Sequence, residues 1–167
     1  DRDLYDTVGP ENYYNVFGEP QVSVSIGDAK FVMLDNSANY TVIDSETIGQ
    51  FEEELEDADF VLLPQPLFHP LASYGKPVMG LVKGEIVGDV KEQAGNLLTM
   101  IQNSNVKAVI AGDHHSFSRN KDRVDRELEH IVIGPVTEAR AEQSKTSVTF
   151  ISVYDDGSYA IEETFFE

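Results

Sequence analysis

The chain contains no cysteine and no tryptophan, and only 12 lysines and arginines stand against 30 aspartates and glutamates. The missing thiols exclude disulfides and thiolate metal sites. The scarcity of cations gives a formal net charge of −18. A field of that sign repels nucleic acid and anionic membrane surfaces, so neither is expected as a partner. It repels phosphate esters too, unless cations are held locally. No apolar run is long enough to cross a bilayer as a helix, and the N-terminal residues carry no signal-peptide pattern. Internal repeats and low-complexity tracts are absent. The 167 residues are enough for one domain with a real core.

What is present is an α/β pattern. Val22 to Ile26 alternates apolar and polar residues, Gly27-Asp28 turns the chain, and Lys30 to Leu34 returns, which predicts a hairpin. Asp44 or Ser45 can cap a helix whose apolar face is Ile48, Phe51 and Leu55. Phe60 to Leu63 reads as a short buried strand. A Pro- and Gly-rich connection then runs from Pro64 to Gly88, a length that inside a compact domain points to a functional or mobile segment. Asp89-Val90-Lys91-Glu92 has the form of a capping box, opening a helix with Val90, Ala94, Leu97, Leu98 and Ile101 on one face. Val106 to Ala111 and Ile131 to Ile133 read as further strands. Thr146 to Tyr154 and Tyr159 to Phe165 predict a closing hairpin about Asp155-Asp156-Gly157. The N-terminal stretch Asp1 to Gly18, with Tyr5, Tyr13, Tyr14 and Phe17, is expected to pack on the sheet as a short helix or ordered loop. Glu52 to Asp59 and Asp122 to Glu129 are the densest charged stretches and read as solvated faces.

Strand–helix–strand–helix–strand order makes the Phe60 and Val106 strands expected parallel neighbours. Their C-terminal ends then lie side by side, where open α/β sheets bind ligands. Pro64-Gln65 would face Gly112-Asp113-His114-His115 there. One carboxylate and two imidazoles in a row suit zinc, iron, manganese or nickel. They equally suit a polar loop whose histidines hydrogen-bond their neighbours.

The order of these pieces resembles the C-terminal half of the calcineurin-like metallophosphoesterase superfamily, over nearly the whole chain. The likeness runs through Tyr13-Tyr14, Phe17-Gly18 and Phe31-Val-Met-Leu-Asp-Asn36. It continues through Gln50-Phe51-Glu-Glu-Glu-Leu55, Phe60-Val-Leu-Leu-Pro-Gln-Pro-Leu-Phe68 and Val106 to Arg119. The resemblance implies a mixed-sheet α/β/β/α sandwich, incomplete in this chain, with residues 1–167 forming the C-terminal half of one domain. It implies hydrolysis of phosphate esters by two divalent ions (Mn, Fe or Zn) that polarise the phosphoryl oxygens and supply hydroxide. The family's first three ligand motifs do not occur here, and Asp1 is placed where the last acidic residue of the third would fall.

The remaining two motifs are altered. Where the family has a histidine after the Phe60 strand, this chain has Pro64. Where it has Gly-His-x-His, this chain has Gly112-Asp113-His114-His115. The resemblance therefore implies Asp113 and His115 as metal ligands, with His114, His69, Gln65 and Arg119 as further candidates for metal or substrate. At most one partial metal site is expected within this chain. The partners expected are a phosphate ester and either the missing N-terminal half or a second copy. The alternative is a catalytically degenerate relative that keeps the fold as a binding or structural domain.

Overall fold

The computed structural model describes residues 23–38, 40–73, 75–136 and 146–166. The expectations for Asp1 to Gly18, and for Val22 as the first strand residue, lie outside the described residues.

Six strands make the main sheet: β1 (Ser23–Ile26), β2 (Ala29–Met33), β3 (Phe60–Leu63), β6 (Ala108–Ala111), β7 (Ser118–Lys121) and β8 (Glu129–Val132). Their order is β1-β2-β3-β6-β8-β7. β2, β3, β6 and β8 run parallel, and β1 and β7 close the edges antiparallel. The chain is thus a mixed α/β domain. The expected parallel pairing of the Phe60 and Val106 strands is present, with Phe60 opposite Ala108 and Leu63 opposite Ala111. Continuous apolar runs suit these strands because both sheet faces are covered.

One face carries α1 (Ser45–Glu54) and α2 (Gly88–Gln102). Val32, Val61 and Val109 point from the sheet into Phe51, Leu55, Val90, Ala94, Leu97 and Ile101. Asp44 caps α1 by accepting the Thr47 N–H at 2.9 Å, so the predicted start and apolar face of this helix are both observed. The other face carries a hairpin of β9 (Ser147–Val153) and β10 (Tyr159–Phe165). Its Ile151, Val153, Tyr159 and Ile161 pack on Phe31, Phe60, Ala108, Ile110 and Ile131. Phe60 stacks on Phe31 at 4.9 Å and meets the edge of Tyr159 at 5.3 Å.

Three expectations need correction. Asp89 does not cap α2. The helix begins at Gly88 after Val87, with no side-chain cap, and Asp89 sits in its first turn. The cause is the preceding segment: Val87 N–H donates to the Gly80 carbonyl at 3.0 Å, and Gly80 lies against the Lys91 backbone. Gly80 has φ +77°, and a Cβ there would overlap the Lys91 main chain, so only glycine fits.

Second, the Pro64–Gly88 connection is largely anchored. Leu67, Val78 and Met79 are buried, Met79 N–H donates to the Pro66 carbonyl at 2.9 Å, and β4 (Leu81–Val82) pairs with β5 (Glu85–Ile86). Third, the Asp122–Glu129 stretch is a solvated face only in part: Arg123, Val124, Arg126 and Glu127 are exposed, but Asp122 and Glu129 are buried. Asp122 Oδ1 accepts from the Val124 and Asp125 N–H groups and from Gln102 Nε2, at 2.7, 3.0 and 2.9 Å. Its Oδ2 meets His130 Nε2 at 2.9 Å. Buried carboxylates persist when their oxygens are satisfied in this way.

Candidate functional site

The parallel strands β2, β3 and β6 end together, and the residues that follow them form the candidate site. After β3, the Pro64 carbonyl accepts the Gly112 N–H at 3.2 Å, extending the β3–β6 ladder past both strand ends. After β2, Asn36 is 1 % exposed and acts as a surrogate peptide group. Its Nδ2 donates to the Gln65 carbonyl at 2.9 Å, and its Oδ1 accepts the Gln65 N–H at 2.8 Å. The Gln65 backbone is thereby pinned, and its side chain is buried.

The Gly112–His115 turn is strained. His114 N–H donates to the Gly112 carbonyl at 3.0 Å across Asp113, whose φ is +73°. This is a γ-turn of the uncommon positive-φ kind. His115 follows with φ +49°. Two non-glycine residues in left-handed conformations within three positions store of the order of 1–3 kcal/mol each. The turn leaves Asp113 and His115 exposed and drives His114 inward. Relief of this strain sets a simple expectation. Asp113→Gly leaves the domain unchanged or up to about 1 kcal/mol more stable in urea unfolding. A clear loss would show that the Asp113 side chain has a stabilising partner.

His114 is 8 % exposed, and its Nε2 donates to the Pro77 carbonyl at 2.5 Å. That fixes the tautomer: Nδ1 carries the lone pair, and it is buried without a hydrogen-bond partner. His69, also buried, lies edge-on to His114 with ring centroids 5.1 Å apart. Its Nδ1 accepts the Leu71 N–H at 3.1 Å, so its proton sits on Nε2. The lone pair a metal would need on His69 is therefore already engaged by the backbone. Lys76 Nζ donates to Ser116 Oγ beside the pair.

Burial lowers the pKa of His69, helped by the neighbouring His114 and Lys76 charges. Burial lowers that of His114 more than the Pro77 carbonyl raises it. Burial also lowers that of His130, against the opposing pull of Asp122. All three rings resist protonation in the native state, while the unfolded chain takes up those protons below about pH 6.5. Unfolded protein then binds more protons than native protein, so stability is complete above that pH and declines as the pH falls through the native values. The urea midpoint is expected to drop between pH 7.5 and pH 5, and a flat profile would contradict these shifts.

Of the residues expected at the site, His69, Asp113, His114 and His115 come together, with Gln65 pinned beside them. Arg119 belongs elsewhere. It lies on β7 with Nε and Nη2 on Glu129 Oε2, at 3.0 and 2.5 Å. Glu129 also accepts the Tyr159 hydroxyl at 2.7 Å and pairs with Lys121 at 3.2 Å. Burial raises the Glu129 pKa, but these donors outweigh it and hold the carboxyl below its ordinary range. Arg119 thus helps fasten the hairpin to the sheet.

Sequence reasoning missed the Asn36–Gln65 clasp and the Asp122–His130 pair. Asp122 preceding Val124 by two carries an Asx-turn signal that could have marked the second. Nothing local marks the first, since its partners are 29 residues apart.

The chain matches no family model and no curated protein. Among solved structures it is similar to "GAP50 the anchor in the inner membrane complex of Plasmodium", at 17 % identity and a TM-score of 0.46. That alignment covers 84 % of this chain and 44 % of the other, so the chain spans less than half of that protein's length. Likeness at this level supports neither a fold family nor a function.

Proposed function

We propose that this chain is the C-terminal part of a metallophosphoesterase-type α/β/β/α sandwich that has given up the dinuclear centre and serves as a binding or structural domain. The observation that carries this reading is the commitment of the strand-end polar groups to backbone partners. Pro64, where the family places a histidine, offers only a carbonyl, and that oxygen receives the Gly112 N–H. Asn36 spends its amide on the Gln65 main chain. His114 and His69 each spend one ring nitrogen on the main chain.

Two divalent ions (Mn, Fe or Zn) need several convergent carboxylate and imidazole donors. Among the described residues no group of three or more such side chains is placed to hold a metal. Asp113, His115 and the Nδ1 of His114 are the nearest candidates, and they form no such group.

One observation favours a second reading, an active phosphoesterase completed by further polypeptide. The positive φ values at both Asp113 and His115 are the kind of strain that functional turns retain. Metal content and turnover separate the two. The full gene product, purified with manganese, zinc or iron and assayed on p-nitrophenyl phosphate, is expected to hold no stoichiometric ion pair and to show no turnover. Two ions per chain, with hydrolysis lost in His115→Ala, would overturn the proposal and establish the second reading.

A further inference from the structure

Lys76 is a half-buried cation without a counter-charge. Lys30 and Lys107 are half-buried too, and they pair with Glu54 at 2.9 Å and Asp59 at 2.8 Å. Among the described residues no carboxylate lies within ion-pair distance of Lys76, and its Nζ goes to Ser116 Oγ. In a chain with 30 acidic and 12 basic residues, a partly desolvated ammonium left unpaired is the exception. It is also held in place. Ser73 and Lys76 exchange both main-chain hydrogen bonds at 3.1 Å, and the next carbonyl, of Pro77, receives His114 Nε2.

Two further donors stand beside it. Ser116 Oγ reaches the His114 carbonyl only at 3.4 Å, so its proton is weakly held and can turn to another acceptor. His69 is 6 % exposed, its proton sits on Nε2, and no described group accepts it. That nitrogen is not enclosed, whereas His114 Nδ1 is. The Lys76 charge lies near enough to lower the pKa of both rings. Asp113, on the same turn, is exposed and does not pair with Lys76.

We propose that Lys76, Ser116 and His69 bind the carboxylate of a small free acid at the strand ends. This rests on the reading of the chain as a binding domain and names what its strand ends hold. Charge decides the class. Lys76 brings one positive charge, and a carboxylate brings one negative charge on oxygens that only accept. A phosphate monoester carries about −1.5 to −2, and the excess would sit in the field of a chain of net charge −18. β3 and β6 are interior strands, so no open sheet edge is there to take a peptide main chain.

The test titrates sodium acetate into the nitrogen-15-labelled chain, stripped of metal with EDTA, at neutral pH and fixed ionic strength. Saturable shifts are expected at the Lys76 and Ser116 amides and at the His69 ring N–H. Affinity is expected to fall about tenfold in Lys76→Met and about threefold in Ser116→Ala, as for a charged and a neutral hydrogen bond. Arg126→Met, which removes an exposed cation elsewhere, is expected to bind as the parent does. If Lys76→Met loses the parent's circular dichroism, Ser116→Ala carries the comparison. No saturable shift, an equal response to chloride, tighter binding of inorganic phosphate, or unchanged affinity in the variants overturns the proposal. So does N-acetylated tetra-alanine that binds more tightly than acetate and loses this on C-terminal amidation, which would make a peptide end the ligand. Metal content is read separately. A chain purified with two ions that binds acetate once stripped overturns only the degenerate reading, and an ion-free chain that ignores acetate overturns only this one.

Discussion

Phe60→Ala is expected to destabilise the domain by about 3–5 kcal/mol, the range for deleting a fully buried aromatic ring. Phe60 has no exposed surface, and its ring holds two layers together. It stacks on Phe31 within the sheet and takes the edge of Tyr159 from the hairpin. Removing it leaves a cavity between the layers and forfeits both ring contacts. For a chain of this size the melting temperature should fall roughly 6–20 °C. The loss should also be uneven. Amides of β9 and β10 should exchange faster relative to those of α2, because the hairpin loses its central contact while Val61 and Val109 still hold the helices. A variant that loses little stability, or loses it uniformly, would show that the hairpin is held chiefly by the Glu129 network.

Asp122→Ala is expected to cost about 1–3 kcal/mol, because it leaves the buried His130 ring and three partly buried donors without their shared acceptor. The Val124 and Asp125 N–H groups, the Gln102 amide and the His130 ring all lose their acceptor together. The His130 ring is buried and the other donors are partly buried, so water replaces the carboxylate only in part. The pH profile supplies a second signature. Burial raises the Asp122 pKa, but its donors outweigh that and set the native value below the ordinary one. Its stabilisation is therefore present above about pH 4 and lost as the pH falls through the native value. Urea midpoints of parent and variant should differ most at pH 7 and draw together as the pH falls well below the ordinary carboxylate range. Curves that stay parallel would remove Asp122 from the acid transition.

The elements with strong local pattern were legible in the sequence. Phe60–Leu63 and the closing hairpin emerge at nearly their read positions, and Asp44 caps α1 as its side chain allows. β7 (Ser-Arg-Asn-Lys) was not read at all. It has no apolar period, and it is a strand because it pairs along β8. The capping-box reading of Asp89 failed because a tertiary contact, Gly80 on Lys91, set the helix start. At the strand ends the sequence put the right residues in one place but not their orientations. Which of Asp113, His114 and His115 turns inward depends on φ at two positions and on a carbonyl from Pro77, 37 residues away in sequence. Charge density alone misjudged Asp122 and Glu129, since burial of a carboxylate is decided by its donors, which come from the local turn, α2 and β8 for Asp122 and from β7 and β10 for Glu129.

The seating of Gly80 against α2 has a consequence for whatever approaches the strand ends. The stretch overlooking them is moored at its far end, and Leu67 and Met79 hold it down midway. Between those anchors Pro70 to Ser73 stay exposed to solvent. The buried Leu67 and Met79 side chains and the packing of Gly80 therefore give this edge a preset surface.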